Sequence, residues 1–137
     1  MAKDLFHQSV KIALIKDGWT ITNDPLIIRI DRIRLEVDLA AEKVIAAEKE
    51  GQKIAVEVKG FINPSVITDF HTALGQFLNY RLALQMTEQR RVLYLAVPGD
   101  VFNSFFQERF TQAAIEQYEV KMMVYDPNVE EIIQWKN

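Results

Sequence analysis

Apolar positions along this chain switch between two periods, and the switches mark its elements. Between Asp4 and Lys16 the apolar residues Phe6, Val10, Ala13 and Leu14 recur at helical spacing, with Asp4 placed to cap the start and Gly18 to stop the helix. Trp19 and Ile21, ahead of an Asn23-Asp24-Pro25 turn, predict a short strand. Leu26 to Ile30 is extended and Asp31-Arg32 reads as a turn. Ile33, Leu35, Val37 and Leu39 then alternate with Arg34, Glu36 and Asp38, the period of a strand with one polar face. From Ala40 to Glu50, alanine and glutamate suit a helix, whereas Val44-Ile45 before Glu50-Gly51 suits the first arm of a hairpin. The hairpin is the reading adopted, because a helix there leaves little room before Gln52. In the next stretch, QKIAVEVKG (52–60), Ile54, Val56 and Val58 alternate with Ala55, Glu57 and Lys59 in what reads as the central strand.

The second half is simpler. Asn63-Pro64-Ser65 starts a long helix with Ser65 as its cap, running from Val66 to about Thr87. Phe70, Leu74, Phe77, Leu78, Arg81, Leu82 and Gln85 form its expected inner face. Gly75 in mid-helix costs ~1 kcal/mol and predicts close packing against the sheet. Val92 to Val97 is a continuous apolar run, typical of a strand covered on both sides and ended by Pro98-Gly99. Phe102 to Gln117 is expected to be one helix with Phe105, Phe106, Phe110, Ala113 and Ala114 as its apolar stripe. Val120 to Tyr125 predicts a last buried strand closed by Asp126-Pro127-Asn128, and Val129 to Trp135 adds an edge strand. Late strands separated by helices imply right-handed crossovers and parallel pairing; the early hairpins imply antiparallel pairing. The expected fold is an α/β sandwich, a mixed sheet with helices on both faces, formed as one domain over residues 1–137.

Composition narrows the chemistry. The chain is 49% hydrophobic and 26% charged, which is globular rather than disordered, and its length suffices to bury about two-thirds of the unfolded surface. It has no cysteine, so disulfides, thiolate zinc sites and thiol nucleophiles are excluded. MAKDLFHQSV lacks the apolar core of a signal peptide and no run is long enough to span a membrane, so a cytoplasmic location without membrane contact is expected. The net charge of −3 argues against indiscriminate nucleic-acid binding. Its distribution is uneven: residues 1–34 hold six basic against four acidic side chains, and residues 98–137 three against seven. A basic face, and with it DNA binding, is compatible with that balance.

The candidate chemistry lies in the central strand. Glu57 and Lys59 share one face of an otherwise apolar segment, and buried charge is costly unless it is paired or holds a metal. Asp38 on the preceding strand completes a set that can bind Mg²⁺ or Mn²⁺, which needs only one or two carboxylates beside waters and substrate phosphate. Asp38, Glu57 and the Val58 carbonyl are the expected ligands. Lys59 is suited to orient a water or offset charge on a phosphate, and Gln76 to position either from the helix above. Tyr80, one turn on, is a candidate support for Gln76. The alternative for Asp38, Glu57 and Lys59 is a structural ion-pair cluster. His7 reads as a surface or packing histidine that could border the site. Arg29, Arg32 and Arg34 suit either a solvated strand face or phosphate contacts.

These residues carry a resemblance. Asp38 followed by Glu57-Val58-Lys59, after a leading helix and before a long one, resembles the PD-(D/E)XK nuclease superfamily, and Gln76-x-x-x-Tyr80 is similar to the QxxxY element of some of its branches. Val37 stands where the signature has proline. The combination of DGWxIxxDP, AVEVKGF, ALGQFLNYR, LYLAVP and a closing YDP…IIQW is similar to the XisH family, fdxN-element excision controlling factors of cyanobacteria. The resemblance implies a restriction endonuclease-like three-layer α/β/α sandwich and a role in DNA rearrangement. It further implies either a Mg²⁺-dependent endonuclease or a silent regulatory subunit. DNA and a XisI-like companion are the implied partners, with homodimerisation left open.

Overall fold

The computed structural model describes residues 2–44, 51–87 and 89–137. Helix α1 (Ala2–Lys16) begins two residues before the expected cap at Asp4. It ends at Gly18, whose positive φ of 92° lets the Trp19 amide donate to the Leu14 carbonyl at 3.0 Å. Strand β1 (Thr20–Asn23) follows, then the antiparallel pair β2 (Leu26–Ile30) and β3 (Ile33–Val37), joined through Asp31 at φ 53°.

The stretch expected as one strand from Ile33 to Leu39 is two. β3 pairs only with β2, in a separate two-stranded sheet, while β4 (Leu39–Lys43) pairs with β1 and β5 (Gln52–Val58) in the main sheet. The chain changes partners at Asp38, so the alternation is continuous in sequence while the ladder is not. β4 and β5 are antiparallel with Leu39 opposite Val56, which is the expected hairpin pairing; residues 45–50 of the expected hairpin lie outside the described residues.

The main sheet runs β1-β4-β5-β6-β7-β8, with β6 (Val92–Pro98) and β7 (Met122–Asp126) parallel to β5, and β8 (Glu131–Lys136) antiparallel at the edge. Strand alternation then divides the core. Leu39, Ile54, Val56, Ala96 and Tyr125 pack with Val10 and Leu14 of α1, whereas Ala40, Ala55, Leu95 and Val97 pack with the long helix α2 (Val66–Met86) and with Phe106. Helices therefore cover both faces of a mixed sheet, the three-layer sandwich expected.

Ser65 caps α2, accepting from the Thr68 amide, and Asp69 accepts from the Asn63 amide at 2.9 Å. The buried face of α2 differs from the expected one: it is Phe70, Ala73, Phe77, Tyr80, Ala83 and Leu84, while Leu82 and Gln85 are exposed. The alanines bring the helix close to the sheet. Gly75 does not; it is exposed, with nothing within 4 Å of where a Cβ would stand.

The expected helix from Phe102 to Gln117 is broken into α3 (Gly99–Phe102), a 3-10 turn at Phe105–Gln107 and α4 (Arg109–Gln117). Phe105 and Phe106 are adjacent, and neighbours in sequence cannot share one face of an α-helix. The break lets both rings meet Phe70 edge-on, at centroid distances of 5.4 and 5.9 Å. Phe110 and Ala113, expected inside, are exposed as a result.

Candidate active site

The divergence of β3 from β4 creates the site. Where regular pairing stops, two carboxylates take over backbone hydrogen bonds: Glu57 Oε1 accepts from the Asp38 amide at 3.2 Å, and Asp38 Oδ2 accepts from the Val58 amide at 2.8 Å. The two acids, 19 residues apart in sequence, are thereby clasped side by side. Glu57 is only 4% exposed and lies one residue before the end of β5; Asp38 is half-buried. Beyond Val58, Lys59 continues with its amide donating to the Ala96 carbonyl at 3.1 Å. This is the carboxyl end of the parallel strands, where open α/β sheets place their ligands.

Burial sets the electrostatics. Loss of water around Glu57, with the Asp38 carboxylate next to it as the second cause, pushes its carboxyl from an ordinary 4.5 up to about 8. The Asp38 amide and the Lys59 charge work in the opposite direction but lose. Among the described residues no carboxylate lies within 4 Å of the Lys59 amine, so its charge acts at a distance and is not consumed in an ion pair. That separates it from the structural ion-pair reading.

Helix α2 contributes the lid. Tyr80 is buried, and desolvation together with the Glu57 and Asp38 charges raises its phenol to about 12. Tyr80 is thus near enough to both carboxylates for their charge to oppose its ionisation. Gln76, one turn earlier, has a buried Oε1 with no hydrogen-bond partner among the described residues. A buried amide oxygen left unpaired is rare and marks a place where a ligand atom or water belongs.

The backbone after Lys59 is held under strain. Phe61 has φ 54°, an uncommon conformation for a bulky residue, and its ring meets Phe106 edge-on at 5.5 Å. Gly60 beside it is overlain by the Phe6 ring of α1, leaving no room for a Cβ.

The other predicted residues are placed elsewhere. His7 Nε2 lies 2.7 Å from Asp24 Oδ1, and Lys11 donates to Asp24 Oδ2 at 2.8 Å; neither bond reaches Asp38 or Glu57. Burial opposes charge on Asp24, yet the bonds from Lys11 and His7 hold its carboxyl below the ordinary range. Arg29 and Arg34 are opposite each other on the outer face of the β2–β3 hairpin, with Arg32 in its turn; all three are exposed, and Arg34 pairs with Glu36. Sequence reasoning missed Asp24 as the partner of His7, although its place in an Asn-Asp-Pro turn was a usable signal.

What the structure brings together is two adjacent carboxylates, oxygen donors of the kind hard divalent cations take. Among the described residues no group of three or more His, Asp or Glu side chains converges to hold a metal, so such an ion would keep waters or take substrate oxygens. A cavity of about 880 Å³ lies at the opposite end of the sheet, around Arg81, Arg91 and Lys121, against about 620 Å³ for one at the carboxyl end beside Gly60, Pro98 and Asp126. Its volume does not make it the site, because it lacks the carboxylate pair.

The profile of a family described as XisH protein matches residues 1–133. The chain belongs to the XisH family. A crystal structure of a XisH family protein from Nostoc punctiforme superposes with a TM-score of 0.89 at 53% identity, covering 98% of this chain and 100% of that one. A second, from Anabaena variabilis and described as a fdxN element excision controlling factor protein, gives 0.88 at 52% identity over 98% and 99%. No curated protein matches. At that identity and coverage the fold is shared along nearly the whole chain.

Proposed function

We propose that the chain is a divalent-cation-dependent DNA endonuclease of the PD-(D/E)XK kind, acting in the excision of a DNA element. The observation that carries this reading is the clasped pair of Asp38 and Glu57 with an unconsumed lysine one residue past the strand end. A buried glutamate held beside a second carboxylate is destabilising as a dianion, and a protein with no use for it gains by replacing it with an apolar residue. Asp38, Glu57 and the Val58 carbonyl would hold Mg²⁺ or Mn²⁺, which would supply Lewis acidity for attack on a phosphodiester. Lys59 then offsets charge growing on the phosphate, Gln76 holds a water or phosphate oxygen, and Tyr80 fixes the covering helix over both. The exposed arginines of the β2–β3 hairpin, Arg29 and Arg32 above all, are the phosphate contacts in this reading. The link to element excision comes from the Anabaena variabilis relative, whose description names that role.

A second reading keeps the fold without the cleavage: a regulatory subunit that binds DNA or a XisI-like companion. The small donor set and the net charge of −3 favour it. Incubating the protein with supercoiled and linear DNA in Mg²⁺, Mn²⁺ or EDTA, with and without the companion, separates the two. The nuclease reading expects metal-dependent cleavage that Asp38→Ala abolishes; no cleavage under any condition supports the regulatory one.

A further inference from the structure

The cavity of about 880 Å³ at the amino end of the parallel strands takes no part in the chemistry proposed above. Its volume falls within the ~300–1,000 Å³ of small-molecule sites. Buried apolar side chains line it: Phe77 and Leu84 of α2, Leu93 of β6, and Ile115 and Val120 at the end of α4. Charged side chains surround them. Arg81, Arg91, Lys121 and Lys136 stand in the lining against Glu116 and Glu119. A chain of net charge −3 thus sets a basic majority, among its described residues, around one cavity.

The four cations are not equally committed. Arg91 is only 12% exposed, donates to the Ile54 carbonyl at 3.3 Å and lies 3.7 Å from Glu42, so it belongs to the wall. Arg81 is fixed without being consumed. Its Nη1 donates to the Tyr118 and Glu119 carbonyls at 2.8 and 2.9 Å, and the guanidinium lies over the Phe77 ring at 5.3 Å. Its Nε and Nη2 have no partner among the described residues. A guanidinium held at one corner is preorganised for two-point contact with an oxyanion. Lys136 stands opposite Met122 in the β7–β8 ladder, so Lys121 and Lys136 lie at the same end of neighbouring strands. Among the described residues no carboxylate lies within 4 Å of either amine. Cations beside apolar walls suit a ligand with an anionic group at one end and a flat apolar ring at the other. An inorganic ion leaves the walls unused, and a purely apolar ligand leaves the cations unused. Gln85 and Gln89, also in the lining, are hydrogen-bonding partners for the edges of such a ring, and Glu116 and Glu119 are acceptors for hydroxyl groups. We propose that this cavity binds a phosphorylated nucleoside, its phosphate at Arg81, Lys121 and Lys136 and its base against the apolar walls. The site is separate from Asp38 and Glu57, so it needs no metal and stands whether or not the chain cleaves DNA. A free nucleotide and the phosphorylated end of a DNA strand share this chemistry.

Calorimetric titration of the full chain with ADP in EDTA tests the proposal. Saturable one-to-one binding is expected, weakening as salt rises. The double variant Lys121→Gln, Lys136→Gln alters two exposed side chains, so circular dichroism and melting should match the wild type while affinity falls at least tenfold. Folded Asp38→Asn should bind ADP as the wild type does. Adenosine and inorganic phosphate should each bind at least tenfold more weakly than ADP. Competition by a 5′-phosphorylated oligonucleotide, and not by its unphosphorylated twin, supports the site with a DNA end as the source; competition by neither supports it with a free nucleotide. No saturable binding at millimolar ADP, a lysine double variant that binds equally well, phosphate alone binding as tightly as ADP, or loss of binding in folded Asp38→Asn would each overturn it.

Discussion

Glu57 has lost its water, gained a carboxylate neighbour, and kept a lysine charge too distant to form a pair. Its carboxyl is raised from 4.5 to about 8, so the folded state holds a proton that the unfolded state releases between those values. The sign follows: the contribution of Glu57 to stability is fully present below about pH 4.5 and is lost as pH rises through about 8. Urea unfolding of wild type and Glu57→Gln from pH 5 to 9 should show the wild type losing ground to the variant as pH rises. A constant difference would contradict the burial account. Lys59 separates chemistry from architecture. Lys59→Met keeps most of the packing volume and, because no ion pair is broken, should leave melting nearly unchanged. Cleavage should fall ~10²-fold or more, the scale of losing one group that stabilises transition-state charge. Large loss of stability with cleavage intact would return Lys59 to a purely structural role.

At the scale of elements, the two glycines flanking the site region predict opposite outcomes. Gly60 sits under the Phe6 ring, so Gly60→Ala forces α1 away from the strand end and should destabilise by about 1–3 kcal/mol. Gly75 faces open space on a helix, so Gly75→Ala should stabilise the dilute protein by about 0.5–1 kcal/mol. Chemical denaturation at low protein concentration measures both. The elements were legible where one period governed them. The alternation at 52–58 and the apolar run at 92–98 are the strands they predicted. Failures came where tertiary contacts cut across a pattern. Residues 33–39 alternate without interruption, yet the chain leaves one sheet for another at Asp38, a change of partner that side-chain period cannot record. Phe102 to Gln117 has helical composition, but the adjacent rings of Phe105 and Phe106 both find places in the core, and that breaks the helix. The inner face of α2 differs from the expected one because apolar residues such as Leu82 and Met86 also stand on its exposed side.

Across the whole molecule, the site exists because of where the sheet divides. Asp38 and Glu57 were recognisable from sequence as two acids on neighbouring apolar strands. Their mutual clasp, with each carboxylate capping the other strand's backbone, was not, since it depends on β3 peeling away with β2. His7 was noticed without its partner, because the contact with Asp24 depends on how α1 lies against the end of β1. The α/β/α layering places α2 over one face of that division and α1 over the other. Among the described residues no helix is long and apolar enough to cross a membrane. The proposed chemistry rests on this division forming a cation site. Thermal melting in increasing Mn²⁺ at pH 7.5, compared between wild type and Asp38→Ala, tests it most directly, because an ion bound only by the folded state raises the melting point by mass action. The wild type should rise steadily with Mn²⁺ and Asp38→Ala, whatever its starting stability, should not. An equal rise in both proteins, or none in either, would contradict the account.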